Sequence, residues 1–156
     1  MFRPMRRFKQ QLTDDECLSI LRREPRGVLS LCGDDGYPYG VPMNYVYDEG
    51  CLYFHCALSG HKLDALTACD KASFCVLDKG EKVPDDWSYY FNSVIVFGRI
   101  AVVDDEAEKL ASLTKLGMKY FPTAAEVEED IRKNAARCHI LRLKIEHMTG
   151  KRVHER

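Results

Sequence analysis

Ser59, Gly60, His61 and Lys62 lie together in the segment CALSGHKLDAL, where a short polar loop runs into a helical pattern. A helix N-terminus offers free backbone N–H groups and the positive end of the helix dipole, which together suit a phosphate. Lys62 adds a fixed cation there, His61 a titratable ring and Ser59 a hydroxyl. Just upstream, Tyr45, Tyr53, Phe54 and His55 supply flat surfaces able to flank a ring system. A phosphate anchor beside flat surfaces outlines a phosphorylated aromatic ligand.

Each of these residues also has a plainer reading. Lys62 reads as a solvated lysine on the first helical turn or as a phosphate contact, and the dipole, which disfavours a bare cation there, favours the contact. His61 reads equally as a surface residue near the helix start. His55 lies between Phe54 and Cys56 on a strand, so its ring points to the opposite face from theirs. It is either a histidine satisfied by a carbonyl or a group at a ligand's edge, and histidine titrates near neutrality. Cys51, His55, Cys56 and His61 lack the close C-x-x-C spacing of a zinc site, so no metal is expected. Trp87, Tyr89, Tyr90 and Phe91 follow a charged loop and read as packing over a barrel mouth or subunit face, or as a lid that excludes water. Tyr37 and Tyr39 read as hairpin surface residues.

Those residues need elements to hold them. Thr13 with Glu16 forms a capping-box pattern opening a helix to about Arg23, which Pro25 ends. Residues 28–32 form a short apolar strand, 33–36 a hairpin turn, 39–47 a second strand and 51–56 a third. A short helix spans 60–68, a strand 72–77, a charged loop 79–88 and a long Val/Ile-rich strand 92–103. Asp104 or Asp105 caps a helix to about Tyr120, and Thr123 with Glu126 opens another to about Ala136. Leu141, Leu143 and Ile145 alternate with Arg142, Lys144 and Glu146 in a last strand, and a polar tail follows Met148. Mostly consecutive strands with short turns favour an antiparallel sheet, and closure into a small barrel removes its exposed edges. The expectation is a mainly β (α+β) single domain over 1–156, with a core at about 26–151.

Composition narrows the function classes. The 156 residues are 46% hydrophobic and 30% charged, with a formal net charge of −1. That balance lacks the basic excess of a nucleic-acid binder. The longest apolar stretch, 94–103, contains Arg99 and is too short to span a bilayer, so no membrane partner is expected. The seven cysteines are odd in number and scattered, and no apolar run follows the basic N-terminus. Reduced thiols in a cytoplasmic protein are therefore expected.

The strands carrying PMNYVY and LYFHCA, then LSGHKLDAL and ASFCVL, resemble the FMN-binding split barrels, the pyridoxamine 5′-phosphate oxidase-like proteins. FHCALSGHK, followed by SVIVFGRIAVV and ILRLKIEHMTGK, is most similar to the nitroimidazole-resistance (Nim) branch. The resemblance implies a six-stranded antiparallel split β-barrel with peripheral helices. It also implies a homodimer with FMN in two clefts between subunits. Met43, Asn44 and Tyr45 would then meet the flavin ring, largely through backbone groups. His55, Cys56 and Ala57 would lie beside the ring and ribityl chain, His61 and Lys62 at the phosphate, and Ser93 would reach the cofactor from the same or the partner subunit. The implied activity is FMN-dependent reduction of nitroimidazoles, nitroaromatics or similar electron-poor small molecules, with no catalytic side chain singled out. Alternatives are a pyridoxamine 5′-phosphate oxidase-like flavoenzyme and a non-catalytic flavin- or haem-binding protein, with His55, His61 or His139 as axial ligand. An interaction module with a vestigial pocket is a third. The strand VPMNYVY lacks the arginines that the oxidases proper carry.

Overall fold

Alternating apolar residues decide the architecture. In Lys71–Leu77 the inward Ala72, Phe74 and Val76 are buried while their neighbours face outward, and the same period recurs along the chain. A computed structural model describes residues 1–154. Its strands are β1 (Arg26–Cys32), β2 (Pro38–Asn44), β3 (Val46–Asp48), β4 (Cys51–Ala57), β5 (Lys71–Leu77), β6 (Glu81–Lys82), β7 (Tyr89–Val102) and β8 (Cys138–His154). Its helices are α1 (Asp14–Arg23), α2 (His61–Ala68), α3 (Glu106–Tyr120) and α4 (Ala124–Asn134). The strands pair antiparallel in the order β2-β1-β5-β7-β8-β4-β3, with β6 on β7.

The ends of that order, β2 and β3, are successive in sequence. The sheet therefore curls until its two ends meet at Tyr45, and it stays open between β2 and β4. Carried past Tyr45, the β3–β4 register of Val46↔Tyr53 would set Asn44 opposite His55 and Met43 opposite Cys56. The ladder stops before it gets there. Two lips with unpaired backbone edges face each other across a split, as expected of a half-closed barrel.

Inside, Tyr45, Phe54 and Phe74 form an aromatic centre. Phe74 meets Tyr45 at 4.8 Å and 67° and Phe54 at 5.0 Å and 64°, the edge-to-face arrangement that ring quadrupoles favour. Leu29, Leu52, Val94, Val96, Leu141 and Leu143 surround them, and each fully buried side chain of this size contributes about 1.5–3 kcal/mol. The β7–β8 ladder slips by one residue between Phe97 and Gly98. A Cβ at Gly98 would stand 1.9 Å from the Lys144 carbonyl oxygen, so only glycine allows that close approach.

The helices lie outside the barrel. The predicted capping box forms: Thr13 Oγ1 accepts from the Glu16 amide while the Glu16 carboxylate accepts from the Thr13 amide. α3 is fixed across β4 and β8, where Arg142 donates to both carboxylate oxygens of Glu108 at 2.8 and 2.9 Å and Tyr53 adds a hydroxyl at 3.2 Å. Among the described residues no helix is long and apolar enough to cross a membrane.

Three expectations need correction. Eight strands stand where six were expected, because Tyr45 turns into the core and divides 39–47, and because Glu81–Lys82 pairs with β7 inside the charged loop. The segment after Met148 is not a loose tail. It continues β8 against β7 through Tyr90↔His154, since β7 is long enough to template it. The second capping-box helix ends at Asn134, and a 3-10 turn at Ala135–Arg137 follows.

Candidate functional site at the barrel split

The split gathers most of the candidate residues. Asn44 ends β2 on one lip, where its side-chain oxygen accepts from Arg26 Nε at 2.9 Å. His55, Cys56 and Ala57 end β4 on the other. His55 is exposed and Cys56 is buried, so the ring does point to the opposite face from its neighbours. Met43 turns inward and packs against the core. What it offers the split is backbone, because β2 is a terminal strand and one of its edges has no ladder partner.

Tyr45 differs from expectation. Its ring is completely buried, and so is that of Phe54, so neither is a flat surface for a ligand. Its backbone is engaged as well: the Tyr45 amide donates to the Tyr120 hydroxyl at 2.9 Å, and that hydroxyl lies 2.9 Å from the Tyr45 carbonyl oxygen. Burial pushes the phenol of Tyr45 well above its ordinary range, which keeps it a neutral part of the core. Tyr53 is held by Glu108.

A cavity of about 370 Å³ opens beside the split. Asn44 and His55 form its barrel side, and Leu116, Phe121, Val127 and Ile131 of the α3–α4 hairpin form an apolar wall. Asp130, Asn134 and Arg137 supply further polar groups. An apolar slot with a few polar groups is the usual make-up of a small-molecule site. Sequence reasoning did not find this wall or Tyr120, because their apolar spacing reads as two ordinary amphipathic helices.

The start of α2 follows the same end of β4, separated from Ala57 by Leu58, Ser59 and Gly60. Gly60 takes φ 127°, a Cβ there would meet nothing within 4 Å, and no side chain caps the helix. Lys62 is half-buried and makes no ion pair or side-chain hydrogen bond among the described residues. His61 is less free. Its ring stacks on Tyr39 with centroids 4.1 Å apart, and its Nε2 lies 3.5 Å from the Asp34 carboxylate. Tyr39 is thus half-buried under the helix start rather than a surface residue, whereas Tyr37 is exposed. Ser93 is not brought to this region. It sits on the outward face of β7, between Leu77 and Lys151. Trp87 is largely exposed on the loop between β6 and β7.

Residues 13–152 match the Pyridoxamine 5′-phosphate oxidase family. No curated protein matches the sequence. Among solved structures, a candidate 5-nitroimidazole antibiotic resistance protein of Bacteroides thetaiotaomicron superposes with a TM-score of 0.77 at 20% identity, over 92% of this chain and 87% of that one. A FAD-binding protein of Mesorhizobium loti gives 0.67 at 26% identity, over 92% and 97%. A FAD- and haem-binding protein of Mycobacterium smegmatis gives 0.75 at 25% identity, over 91% and 72%.

Proposed function

The chain belongs to the pyridoxamine 5′-phosphate oxidase family, and from that premise we propose that it is a flavin-dependent oxidoreductase. It holds FMN at the barrel split, at the interface of a homodimer, and reduces nitroimidazoles, nitroaromatics or similar electron-poor small molecules. The observation that carries this reading is Lys62, with no ion-pair or side-chain hydrogen-bond partner among the described residues, beside an uncapped helix start at the end of the strand whose His55 lines the cavity.

The residues present fit such a group. An open glycine turn and free N–H groups at α2 suit a phosphate, and Lys62 adds a charge-assisted contact. The unpaired edge of β2 offers backbone N–H and C=O groups to the polar rim of a flavin ring. Bound flavin supplies the transfer of electrons to an acceptor. The chain's own part is to position and shield. The α3–α4 wall excludes water from the cavity, Asn44 orients a polar substituent, and His55 can pass a proton from a ring N–H to a reduced substrate. Arg137 shares the cavity with Asp130, which suits a neutral nitro compound better than a second phosphate ester.

The homodimer rests on the outer sheet face. Val28, Cys75, Ile95 and Thr149 form one row across β1, β5, β7 and β8, and Ser30, Ser73, Phe97 and His147 form the next. Val28, Leu77, Ile95 and Phe97 are all exposed there, and a broad apolar patch of this kind marks an interface. Ser93 belongs to this face, which is where a residue serving the partner's flavin would lie.

The test is the absorption spectrum of the purified protein with and without added flavin, followed by denaturation and chromatography of the released chromophore. Released FMN, with anaerobic reduction of a nitro compound, is expected. Released FAD would replace the cofactor, a haem spectrum would replace the chemistry, and no bound chromophore would overturn the reading.

A further inference from the structure

Arg26 and Asn44 stand opposite each other at one end of the β1–β2 ladder, Arg26 opening β1 and Asn44 closing β2. Arg26 Nε donates to Asn44 Oδ1 at 2.9 Å. That bond decides which way the Asn44 amide is turned. A guanidinium only donates, so the amide presents its oxygen to Arg26 and directs its NH2 group elsewhere. The NH2 group has no hydrogen-bond partner among the described residues. Asn44 is half-buried and lines the cavity, whereas Arg26 is exposed and is not part of the lining. The start of β1 is itself held in place, because the Tyr120 hydroxyl donates to the Pro25 carbonyl.

We infer that Arg26 is a positioning residue that sets the substrate class of this cavity. By holding the Asn44 amide with its N–H donors free, it makes the site take a flat ring bearing an acceptor-only group, a nitro group above all. The aromatic amine of the same shape is rejected. The inference rests on reading the cavity as the site of the electron-poor acceptor.

The selection follows from hydrogen-bond chemistry. A nitro group brings oxygens and no hydrogen to donate, so Asn44 Nδ2 donates to it while the ring lies against the apolar wall of Leu116, Phe121, Val127 and Ile131. An amine places N–H donors where those oxygens were. Donor then meets donor, and each is left unmet in a site that water enters poorly. The array that receives a nitro compound therefore releases the corresponding amine. On the α4 side, Asp130 already accepts from the Asn134 amide at 2.8 Å. Without Arg26 the Asn44 amide is free to turn over and show the amine an oxygen, which is why a side chain outside the lining governs the choice.

The test is a titration of the purified chain, with whatever flavin it retains, first with nitrobenzene and then with aniline. Proton–nitrogen correlation spectra follow the side-chain amides, and the NH2 signals of Asn44 are assigned by their loss in Asn44→Asp. Nitrobenzene is expected to move those signals and to bind at least about tenfold more tightly than aniline. Arg26→Leu should bring that ratio to within about twofold, and Arg26→Lys, which still donates to Oδ1, should keep most of it. A purely structural role would weaken both compounds alike. A ratio that Arg26→Leu leaves unchanged, or nitrobenzene binding that leaves the Asn44 signals unmoved, would overturn the assignment. Binding of neither compound would overturn it together with the acceptor site. A chain without flavin that shows the expected ratio would support the role of Arg26 while overturning the flavin reading.

Discussion

The hydroxyl of Tyr120 bridges the backbone of Tyr45, 75 residues earlier, reaching both its N–H and its carbonyl oxygen at 2.9 Å. Tyr45 is the point where the curled sheet stops pairing, so one hydroxyl from α3 accepts from the amide that the split leaves without a ladder partner. The same hydroxyl donates to the Pro25 carbonyl, which brings the start of β1 to the same place. Tyr120→Phe removes these bonds and leaves part-buried polar groups unmet. A loss of about 1–3 kcal/mol is expected in urea unfolding, with the denaturant slope unchanged. A variant as stable as the parent would show that water serves the split equally well.

Lys62→Ala should weaken FMN binding by about 1–3 kcal/mol, the range for losing a charge-assisted contact, while leaving the unfolding midpoint in place. Flavin fluorescence titration reads the affinity directly. Unchanged affinity would remove the phosphate from the start of α2. His61→Ala is expected to be milder, because that ring is already held by Tyr39 and Asp34.

The sheet was legible because alternation is a local signal. Leu141, Leu143 and Ile145 point inward as their spacing says, and Thr13 and Thr123 cap α1 and α4 where expected. The split was not legible. Tyr45 lies in a run that reads as one continuous strand, and its inward turn depends on a hydroxyl supplied by α3. The cavity was hidden for the same reason. Val127 and Ile131 sit at ordinary amphipathic spacing, and only the folding back of α4 on α3 turns that stripe into a wall. The outward direction of His55 was legible because strand alternation sets it locally.

Lys119 gives the molecule a pH signature. Burial lowers its amine from the ordinary value to about 8, and Nζ lies 4.0 Å from the centre of the Tyr45 ring and donates to the Glu24 carbonyl at 2.7 Å. The unfolded chain holds that proton up to its ordinary value near 10.5. Between pH 8 and 10 the unfolded state thus binds more protons, and the contribution of Lys119 to stability rises with pH. The amine remains partly solvated, so the gain is about 1 kcal/mol after screening. Urea unfolding of the parent and of Lys119→Met across this window should show the parent gaining on the variant. Parallel profiles would mean the amine keeps its ordinary proton affinity.

Ile95→Glu tests the outer sheet face. Ile95 stands between Cys75 and Thr149 in the row that Val28 begins, and its side chain needs no rearrangement to admit a charge in a monomer. Phe2 already covers one corner of the face, stacking on His147 at 4.5 Å and meeting Phe97 at 5.6 Å. If two copies meet here, the glutamates are buried without partners, and a penalty of several kcal/mol follows. Sedimentation velocity should then show a parent dimer and a variant monomer, with flavin retention lost alongside if each cleft is built from both subunits. A variant that stays dimeric would move the interface elsewhere. A monomeric variant that still holds flavin would confine the cofactor to one subunit's split.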